Sequence, residues 1–173
     1  MSLKKIITIP DPILREKSKA IINFDNKIKK LMDDMLETMY AAPGIGLAAI
    51  QIGIAKRVVV IDVSKDQKKS PFFFVNPEII WKSESKVSYE EGCLSIPNQF
   101  ALVERPEKCK VKFLDYNGKE SVLEAGGILS TCIQHEVDHL NGVLFIDHLS
   151  KLKKSLIEKK VAKQKKEQER IVV

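Results

Sequence analysis

The 173-residue sequence has no long apolar run, and this absence excludes several classes of protein. A helix that crosses a membrane needs about 20 consecutive apolar residues, and no segment approaches that length. The N-terminal residues MSLKKIITIPDP contain only a short apolar stretch before Pro10, too short for the apolar part of a secretory signal. We therefore expect a cytoplasmic protein without a membrane partner.

Cysteine and histidine are also scarce, since the chain has three of each. An odd number of cysteines in a chain without an export signal argues against a disulfide framework. Each thiol, at Cys93, Cys109 and Cys132, therefore needs its own explanation. The scarcity of histidine makes the placement of a histidine pair informative.

Most of the chain has no net charge, and the excess of positive charge is confined to its C-terminal end. Residues 1–150 contain twenty basic and twenty acidic side chains, whereas residues 151–173 contain nine basic and three acidic ones, so the net charge of +6 belongs to this tail. Such a run is usually the solvated face of a helix. The alternative is attraction to the RNA phosphates of the ribosome. Leu152, Leu156 and Val161 could hold one side of the tail helix to the body or to a partner, and we expect no DNA partner.

The apolar pattern predicts an α+β fold, because strands cluster in the middle of the chain between helices. Asp25 is a candidate N-cap for a helix that ends near Ala41. Apolar periodicity predicts two further helices, at 128–140 and at about 151–169, the last one capped by Ser150. The predicted strands are 58–63, 72–77, 79–90, 101–105, 108–114 and 121–125.

The strongest chemical signal is the pentapeptide His135-Glu136-Val137-Asp138-His139. Residues four apart lie on the same face of a helix, so both imidazoles can bind one metal ion. Glu136, one position further round, would border this site. The alternative is a pair of histidines with structural hydrogen bonds on a helix surface.

Two side chains do not complete a catalytic metal site, which usually has three protein ligands and a water. The long metalloprotease pattern requires a third histidine where this chain has Phe145, and the candidate carboxylate Glu158 lies in the lysine-rich tail. Cys132 is about 10 Å from His139 along the helix axis. Cys93, beside a glycine in a break between strands, is the best candidate for the third ligand.

Three segments, GIGLAAIQ (44–51), EGCLS (91–95) and QHEVDH (134–139), resemble the three motifs of the peptide deformylase family and occur in the same order. The resemblance runs through most of residues 1–150 and continues into a lysine-rich C-terminal helix like that of many bacterial members. It implies antiparallel strands packed around a central helix that carries HExxH, with an N-terminal and a C-terminal helix. Residues 1–150 would form one catalytic metallohydrolase domain, to which the basic helix 151–173 also belongs.

The resemblance further implies the cofactor. Cys93, His135 and His139 would bind one divalent metal ion per chain. Fe²⁺ is the expected metal, and Zn²⁺, Ni²⁺ or Co²⁺ can replace it. The sequence does not choose among these metals.

The resemblance also implies an activity and the residues that perform it. The enzyme would remove the formyl group from the formyl-methionine terminus of nascent peptides and release formate. Glu136 would be the catalytic acid and base, while Gln51 and the backbone N–H of Leu94 would stabilise the developing oxyanion. The residues expected to line the pocket for the methionine side chain are Ile45, Gly46 and Glu91.

Two alternatives to this activity remain open, and one position departs from the family pattern. The chain could be another HExxH metallopeptidase, or a ribosome- or RNA-binding protein whose metal is structural. Many bacterial relatives have arginine where this chain has Phe100, and we expect the change to alter which downstream substrate residues are favoured.

Overall fold

The computed structural model describes residues 2–65 and 67–171 and contains three α-helices in that part of the chain. They are α1 (Asn26–Ala41), α2 (Gly127–Leu140) and α3 (Lys151–Ile171). Asp25 caps α1, because its carboxylate accepts hydrogen bonds from the N–H groups of Lys27 and Ile28 at 3.0 and 3.2 Å. Ser150 accepts a hydrogen bond from the N–H of Lys153 at the start of α3. Both predicted caps are confirmed.

The strands form two antiparallel sheets. Five strands form one sheet in the order β1-β2-β3-β6-β7, while β4 and β5 pair only with each other among the described residues. This arrangement confirms the predicted α+β class. The strands are β1 (Gly46–Ala48), β2 (Val58–Ile61), β3 (Phe72–Lys82), β4 (Lys86–Cys93), β5 (Ile96–Pro106), β6 (Lys108–Leu114) and β7 (Glu120–Gly126).

The predicted boundary between strands near residue 78 is wrong. Strand β3 continues through Pro77 to Lys82, and the chain turns at residues 83–85 before β4 begins. The irregularity falls at Asn76, which has a positive φ of 52° and bonds with its side chain to the N–H and C=O of Ile21. A shift in the β3–β6 register between Val75 and Glu78 absorbs the proline without ending the strand.

Strand β2 separates two layers of the core. Successive side chains of a strand point to opposite faces of the sheet. Val58 and Val60 pack with the buried methionines of α1, whereas Val59 and Ile61 pack in the cluster that includes Cys132 and Ile133 of α2. The sheet therefore carries a helix on each face at β2, and α2 lies between this sheet and the β4–β5 hairpin. The buried methionines of α1 belong to this core: Met32, Met35 and Met39.

Helix α3 packs against the hairpin through two of its apolar residues. Ile157 and Val161 share a buried cluster with residues of β5. Leu152 and Leu156 instead remain exposed, at 70% and 47%. None of the helices in residues 2–65 and 67–171 has the length and apolar character required to cross a membrane.

Candidate metal centre and active site

Helix α2 and the end of β4 bring three potential metal ligands together. The ligand atoms of Cys93, His135 and His139 all lie within 4.8 Å of one another, and Cys93 Sγ is 3.3 Å from His139 Nε2. Around a tetrahedral ion, with Zn–N near 2.0–2.1 Å and Zn–S near 2.3 Å, donor atoms are about 3.3–3.6 Å apart. The donors therefore fit a divalent metal ion, and the predicted metal site is confirmed.

A buried carboxylate orients the first histidine of this site. His135 Nδ1 lies 2.8 Å from Oε1 of Glu91, which leaves Nε2 as the nitrogen available to a metal ion. Arg105 in turn donates to both oxygens of Glu91, at 2.7 and 3.0 Å. Burial acts against the charge of Glu91, but the hydrogen bonds from His135 and Arg105 outweigh burial and lower its pKa. Glu91 therefore holds His135 as an anion.

Arg105, which no sequence motif marks, links Glu91 to α2. Its Nη1 lies 2.9 Å from Oδ2 of Asp138, and His148 Nε2 contacts the same oxygen at 2.9 Å. The alternation of inward and outward residues along β5 could have indicated Arg105. Ala101 and Val103 share a face with Arg105, so the pattern places a charge on the inward side of the strand. A charge in that position requires a buried partner.

The second histidine of α2 is buried and kept neutral. Burial, followed by the nearby positive charge at His135, lowers the pKa of His139 well below its usual value. A neutral imidazole is the form that binds a metal ion. Its Nδ1 has no hydrogen-bond partner among the described residues, while Nε2 faces Cys93.

Glu136 is a buried carboxylate beside the three ligands. Burial raises its pKa to about 7, and its Oε2 has no hydrogen-bond partner within the described part of the chain. The absence of a side chain at Gly46 makes room for it, since a Cβ at that position would lie 2.6 Å from Glu136 Oε1 and 2.9 Å from Cys132 Sγ. An unpaired buried carboxylate with a raised pKa is typical of a group that exchanges protons.

Gln51 presents its amide N–H₂ group to the site. It lies in a short 3₁₀ turn (Ala49–Ile52), where its Oε1 accepts a hydrogen bond from the N–H of Ala48 at 2.9 Å. This bond identifies the other end of the amide as the donor end. Nε2 donates to Ser95 Oγ at 3.1 Å and lies 3.5 Å from Cys93 Sγ. Leu94 follows Cys93 in the turn of the β4–β5 hairpin and lines the same cavity.

Cys93, His135 and Glu136 line a cavity of about 560 Å³. Ile45, Gly46 and Glu91 also line it, although the Glu91 carboxylate oxygens are bonded to Arg105 and His135. Four further lining residues carry no motif of their own in the sequence and come from two separate elements, β4 and α2. These residues are Tyr89, Ile128, Thr131 and Cys132.

The sequence of this chain is similar to those of known proteins over most of its length. A family model described as polypeptide deformylase matches residues 3–155. The peptide deformylase of Pelagibacter ubique is 61% identical over 164 residues, which cover 94% of this chain and 95% of that protein. The corresponding protein of Agrobacterium fabrum is 54% identical over 164 residues, covering 94% and 96%.

Solved structures agree with these relatives. The peptide deformylase of Ehrlichia chaffeensis in complex with actinonin superposes with a TM-score of 0.91 at 43% identity and covers 95% of this chain and 98% of its own. The peptide deformylase of Legionella pneumophila has a TM-score of 0.91 at 44% identity, with coverage of 98% and 99%. The chain therefore belongs to the peptide deformylase family.

Proposed function

We propose that this chain hydrolyses the N-formyl amide of formyl-methionyl peptides and releases formate and a free N-terminal methionine. The observation that carries this proposal is the position of Glu136. This buried carboxylate, with one oxygen that has no partner among the described residues, lines the cavity beside a cluster of one thiol and two imidazoles. Hydrolysis of an amide needs an activated water and a stabilised oxyanion, and the site offers groups for both tasks.

The cofactor that we propose is one Fe²⁺ ion held by Cys93, His135 and His139. When bound, a divalent metal would lower the pKa of a coordinated water and polarise the formyl oxygen as a Lewis acid. A thiolate with two imidazoles also suits Zn²⁺, Ni²⁺ and Co²⁺. The choice of Fe²⁺ depends on the family resemblance and is tested by metal analysis of protein purified without oxygen.

Glu136 is the proposed general acid and base. It takes the proton of the attacking water and then donates it to the nitrogen of the departing amine, so that a neutral amine leaves. Its raised pKa, about 7, supports a group that can hold and release a proton near neutral pH. Its burial keeps bulk water away from the transferred proton.

Gln51 and Leu94 are the proposed oxyanion donors. The bond from Ala48 fixes the Gln51 amide so that Nε2 points towards Cys93 and Ser95. The N–H of Leu94 adds a backbone donor beside the ligand Cys93. Loss of one such donor typically costs about 3–4 kcal/mol of transition-state stabilisation.

The methionine side chain would occupy the inner cavity. Ile45 and Gly46 border this space. The proposed contribution of Glu91 is indirect, because its carboxylate orients His135 instead of pointing into free space. An unbranched thioether suits an apolar cavity of irregular shape.

The direct test is release of formate from a formyl-Met tripeptide by protein loaded anaerobically with Fe²⁺. We expect Glu136→Gln to lower kcat by about a thousandfold or more while metal still binds, since the three ligands are unchanged. An acetyl-Met peptide serves as the substrate control. Full metal occupancy without formate release would overturn the proposal.

The two alternatives make different predictions in the same assay. Another HExxH metallopeptidase would cleave a peptide with blocked ends at an internal bond. A structural metal would require a fourth protein ligand, whereas the cluster found among the described residues has three donors. No observation favours either alternative over deformylation.

We further propose a cytoplasmic enzyme that meets its substrates at the ribosome through α3. Exposed lysines surround the exposed Leu152 and Leu156 on this helix, and such a surface favours RNA phosphates through counterion release. Deletion of the helix would also remove Ile157 and Val161 from the core, so charge reversal is the cleaner experiment. The lysines to change to glutamate are Lys159, Lys160, Lys163 and Lys166.

We expect this variant to sediment less with ribosomes at about 50 mM salt and to show a weaker dependence on salt. Its deformylation of a free tripeptide should be unchanged. A control with the same total charge change has the exposed body lysines replaced by glutamate: Lys17, Lys27, Lys68 and Lys119. Equal loss of sedimentation in both variants would reduce the proposal to a general effect of net charge.

A further inference from the structure

The side-chain amide of Gln51 is bonded to a serine that does not border the cavity. Gln51 Nε2 donates to Ser95 Oγ at 3.1 Å, and both side chains are buried. Gln51 lines the cavity, whereas Ser95, which follows Leu94 in the turn of the hairpin, does not. Any influence of Ser95 on the reaction therefore passes through Gln51 or through the backbone of the turn.

The three polar groups of the Gln51 amide, two N–H donors and one oxygen acceptor, have different neighbours. The oxygen accepts a hydrogen bond from the N–H of Ala48 at 2.9 Å, and one N–H donates to Ser95. The same nitrogen lies 3.5 Å from Cys93 Sγ, so the second N–H is directed towards a metal ligand. Because sulfur is a weak acceptor, this second N–H is the one that a developing oxyanion could take over.

The bond to Ser95 determines where that second N–H points. The terminal torsion of a glutamine side chain has broad preferences, so an amide held only at its oxygen can swing. The bond from Ala48 fixes the oxygen end, and the bond to Ser95 fixes the nitrogen end and hence the plane of the group. Donors fixed in this way stabilise developing charge without having to reorient during the reaction.

The N-terminal segment connects the two elements that carry this pair. The N–H of Ile7 donates to the C=O of Gln51 at 2.7 Å, and the N–H of Ile9 donates to the C=O of Ser95 at 2.9 Å. The two donors are two residues apart in the chain, so a short segment sets the separation of the 3₁₀ turn and the hairpin turn. Backbone bonds therefore hold Gln51 and Ser95 beside each other.

A second buried amide shows the pattern of a structural contact of this type. Gln134 on α2 donates from Nε2 to Ser130 Oγ at 3.0 Å and to the C=O of Pro106 at 2.9 Å. Two oxygen acceptors thus match its two N–H groups, as is normal for a buried amide, and this pair does not line the cavity. Gln51 differs, because Nε2 has only one oxygen acceptor among the described residues and faces Cys93 on its other side.

We propose that Ser95 is a positioning residue that aligns the Gln51 amide for stabilisation of the oxyanion. It occupies one N–H of the amide and so directs the other towards the place beside Cys93 where negative charge develops. The inference rests on the proposed function, because Ser95 has this task only if Gln51 donates to the oxyanion of amide hydrolysis.

The kinetic test is a double-mutant cycle of Ser95→Ala and Gln51→Ala, in protein loaded anaerobically with Fe²⁺ and assayed on a formyl-Met tripeptide. We expect Ser95→Ala to lower kcat about tenfold with KM unchanged, since only a transition-state interaction is weakened. Loss of the donor itself in Gln51→Ala should lower kcat by about a hundredfold or more. Ser95→Ala added to Gln51→Ala should change kcat by less than about twofold, because the group that Ser95 positions is then absent.

Ser130→Ala is the matched control. It removes the same type of buried amide–hydroxyl bond, so it should lower the free energy of unfolding by a similar amount while kcat does not change. Ser95→Thr keeps the accepting oxygen and should recover most of the activity that Ser95→Ala loses. If Ser95→Ala does not fold, Ser95→Val is compared with Ser95→Thr, because these two side chains are similar in size and differ in the hydroxyl group.

A second measurement does not depend on activity. In ¹⁵N-labelled protein loaded with Zn²⁺, the side-chain amide signals of Gln51 are those that disappear in Gln51→Ala. We expect their hydrogens to exchange with solvent at least about tenfold faster in Ser95→Ala than in the parent, because the bond that protects them is lost. Their exchange should be unchanged in Ser130→Ala.

The outcomes separate the two proposals. If formyl-Met peptides are deformylated but Ser95→Ala keeps the parent kcat, the role of Ser95 is overturned and the proposed function stands. An equal loss of kcat from Ser95→Ala with and without Gln51 would also overturn it, since Ser95 would then act on the metal centre or on the fold. If metal-loaded protein deformylates no formyl-Met peptide, the proposed function fails and this inference fails with it, even where amide exchange shows that Ser95 holds Gln51.

Discussion

The five-stranded sheet and the β4–β5 hairpin bury different kinds of side chain. The large sheet contributes Val59, Phe74 and Val111 to an apolar core. The hairpin buries an ion pair between Glu91 and Arg105, whose side chains are 6% and 5% exposed. Apolar burial is the main source of folding stability, whereas a buried ion pair is a weak source of it. The buried pair in the hairpin therefore contributes less to stability than apolar residues would, but Glu91 and Arg105 orient the metal site.

Helix α2 contacts both regions, with different residues on each side. Its Ile133 and Cys132 pack in the core cluster of the large sheet, whereas His135 and His139 meet the hairpin at Cys93. One helix is thus anchored by apolar contacts on one side and carries chemistry on the other. Four substitutions compare the two regions and their edges, from the largest expected effect to the smallest.

The largest expected effect is that of Arg105→Met. Removal of one partner of a buried ion pair typically costs about 3–5 kcal/mol in the free energy of unfolding, because Glu91 is left as an uncompensated charge. Loss of the support for His135 should also weaken metal binding by about 10–100-fold. Urea unfolding and competition with a chelator measure the two quantities.

Phe74→Ala is the matched substitution in the large sheet. It should cost a similar free energy of unfolding, about 3–5 kcal/mol, through the cavity that it leaves. The affinity of the folded protein for metal should not change, because Phe74 packs on Phe113 within the apolar cluster of the large sheet. Equal loss of metal affinity in both variants would contradict the division between the two regions.

A smaller effect is expected from Gly46→Ala, at the point where the large sheet approaches the site. The added methyl group would lie 2.6 Å from Glu136 Oε1, so the carboxylate must move. A displacement of about 1 Å can cost about a hundredfold in rate. We expect kcat to fall by that order while metal binding persists.

Gly126→Ala is the control for this change. A Cβ at Gly126 meets its nearest neighbour at 3.7 Å, an ordinary contact, so activity should remain. Steady-state kinetics with a formyl-Met tripeptide and metal analysis test both variants. Full activity of Gly46→Ala would show that the space beside Glu136 is not required.

The smallest expected effect concerns a more exposed ion pair at the edge of the hairpin layer. Asp147 bonds to Arg15 and Lys154, and these partners outweigh the opposing effect of partial burial and lower its pKa. A carboxylate with a folded-state pKa below its unfolded value, near 3.9, stabilises the fold at higher pH, and this contribution is lost as the pH falls.

Asp147→Asn should therefore lower the Tm at pH 7, and the difference from the parent should shrink below about pH 4. Thermal unfolding monitored by circular dichroism at several pH values measures this difference. A constant difference across that range would show that the charge of Asp147 is not the source of its contribution.

Local pattern predicted much of the fold. The N-caps at Asp25 and Ser150 and the helix α1 each depend on neighbours in sequence, and each is present in the structure. The strand boundary near residue 78 was wrong because Asn76 is held by Ile21, 55 residues away. Strand β1 was also missed, because it has three residues and is defined by its pairing with β2.

The sequence by itself predicted the fold class and the candidate metal ligands. Helical spacing places His135 and His139 on one face, and a glycine-flanked thiol between strands supplies Cys93. These features depend on the periodicity of single elements, which a sequence displays directly.

Only the tertiary structure decided how the ligands are supported. Arg105 lies 14 residues from Glu91 and 33 from Asp138 along the chain, and no local pattern specifies that they share a buried site. The orientation of Gln51 and the fit of Gly46 beside Glu136 likewise require contacts between separate elements. Hydrogen bonds and steric exclusion act over a few ångströms, so such partners become defined only when the folded chain brings distant segments together.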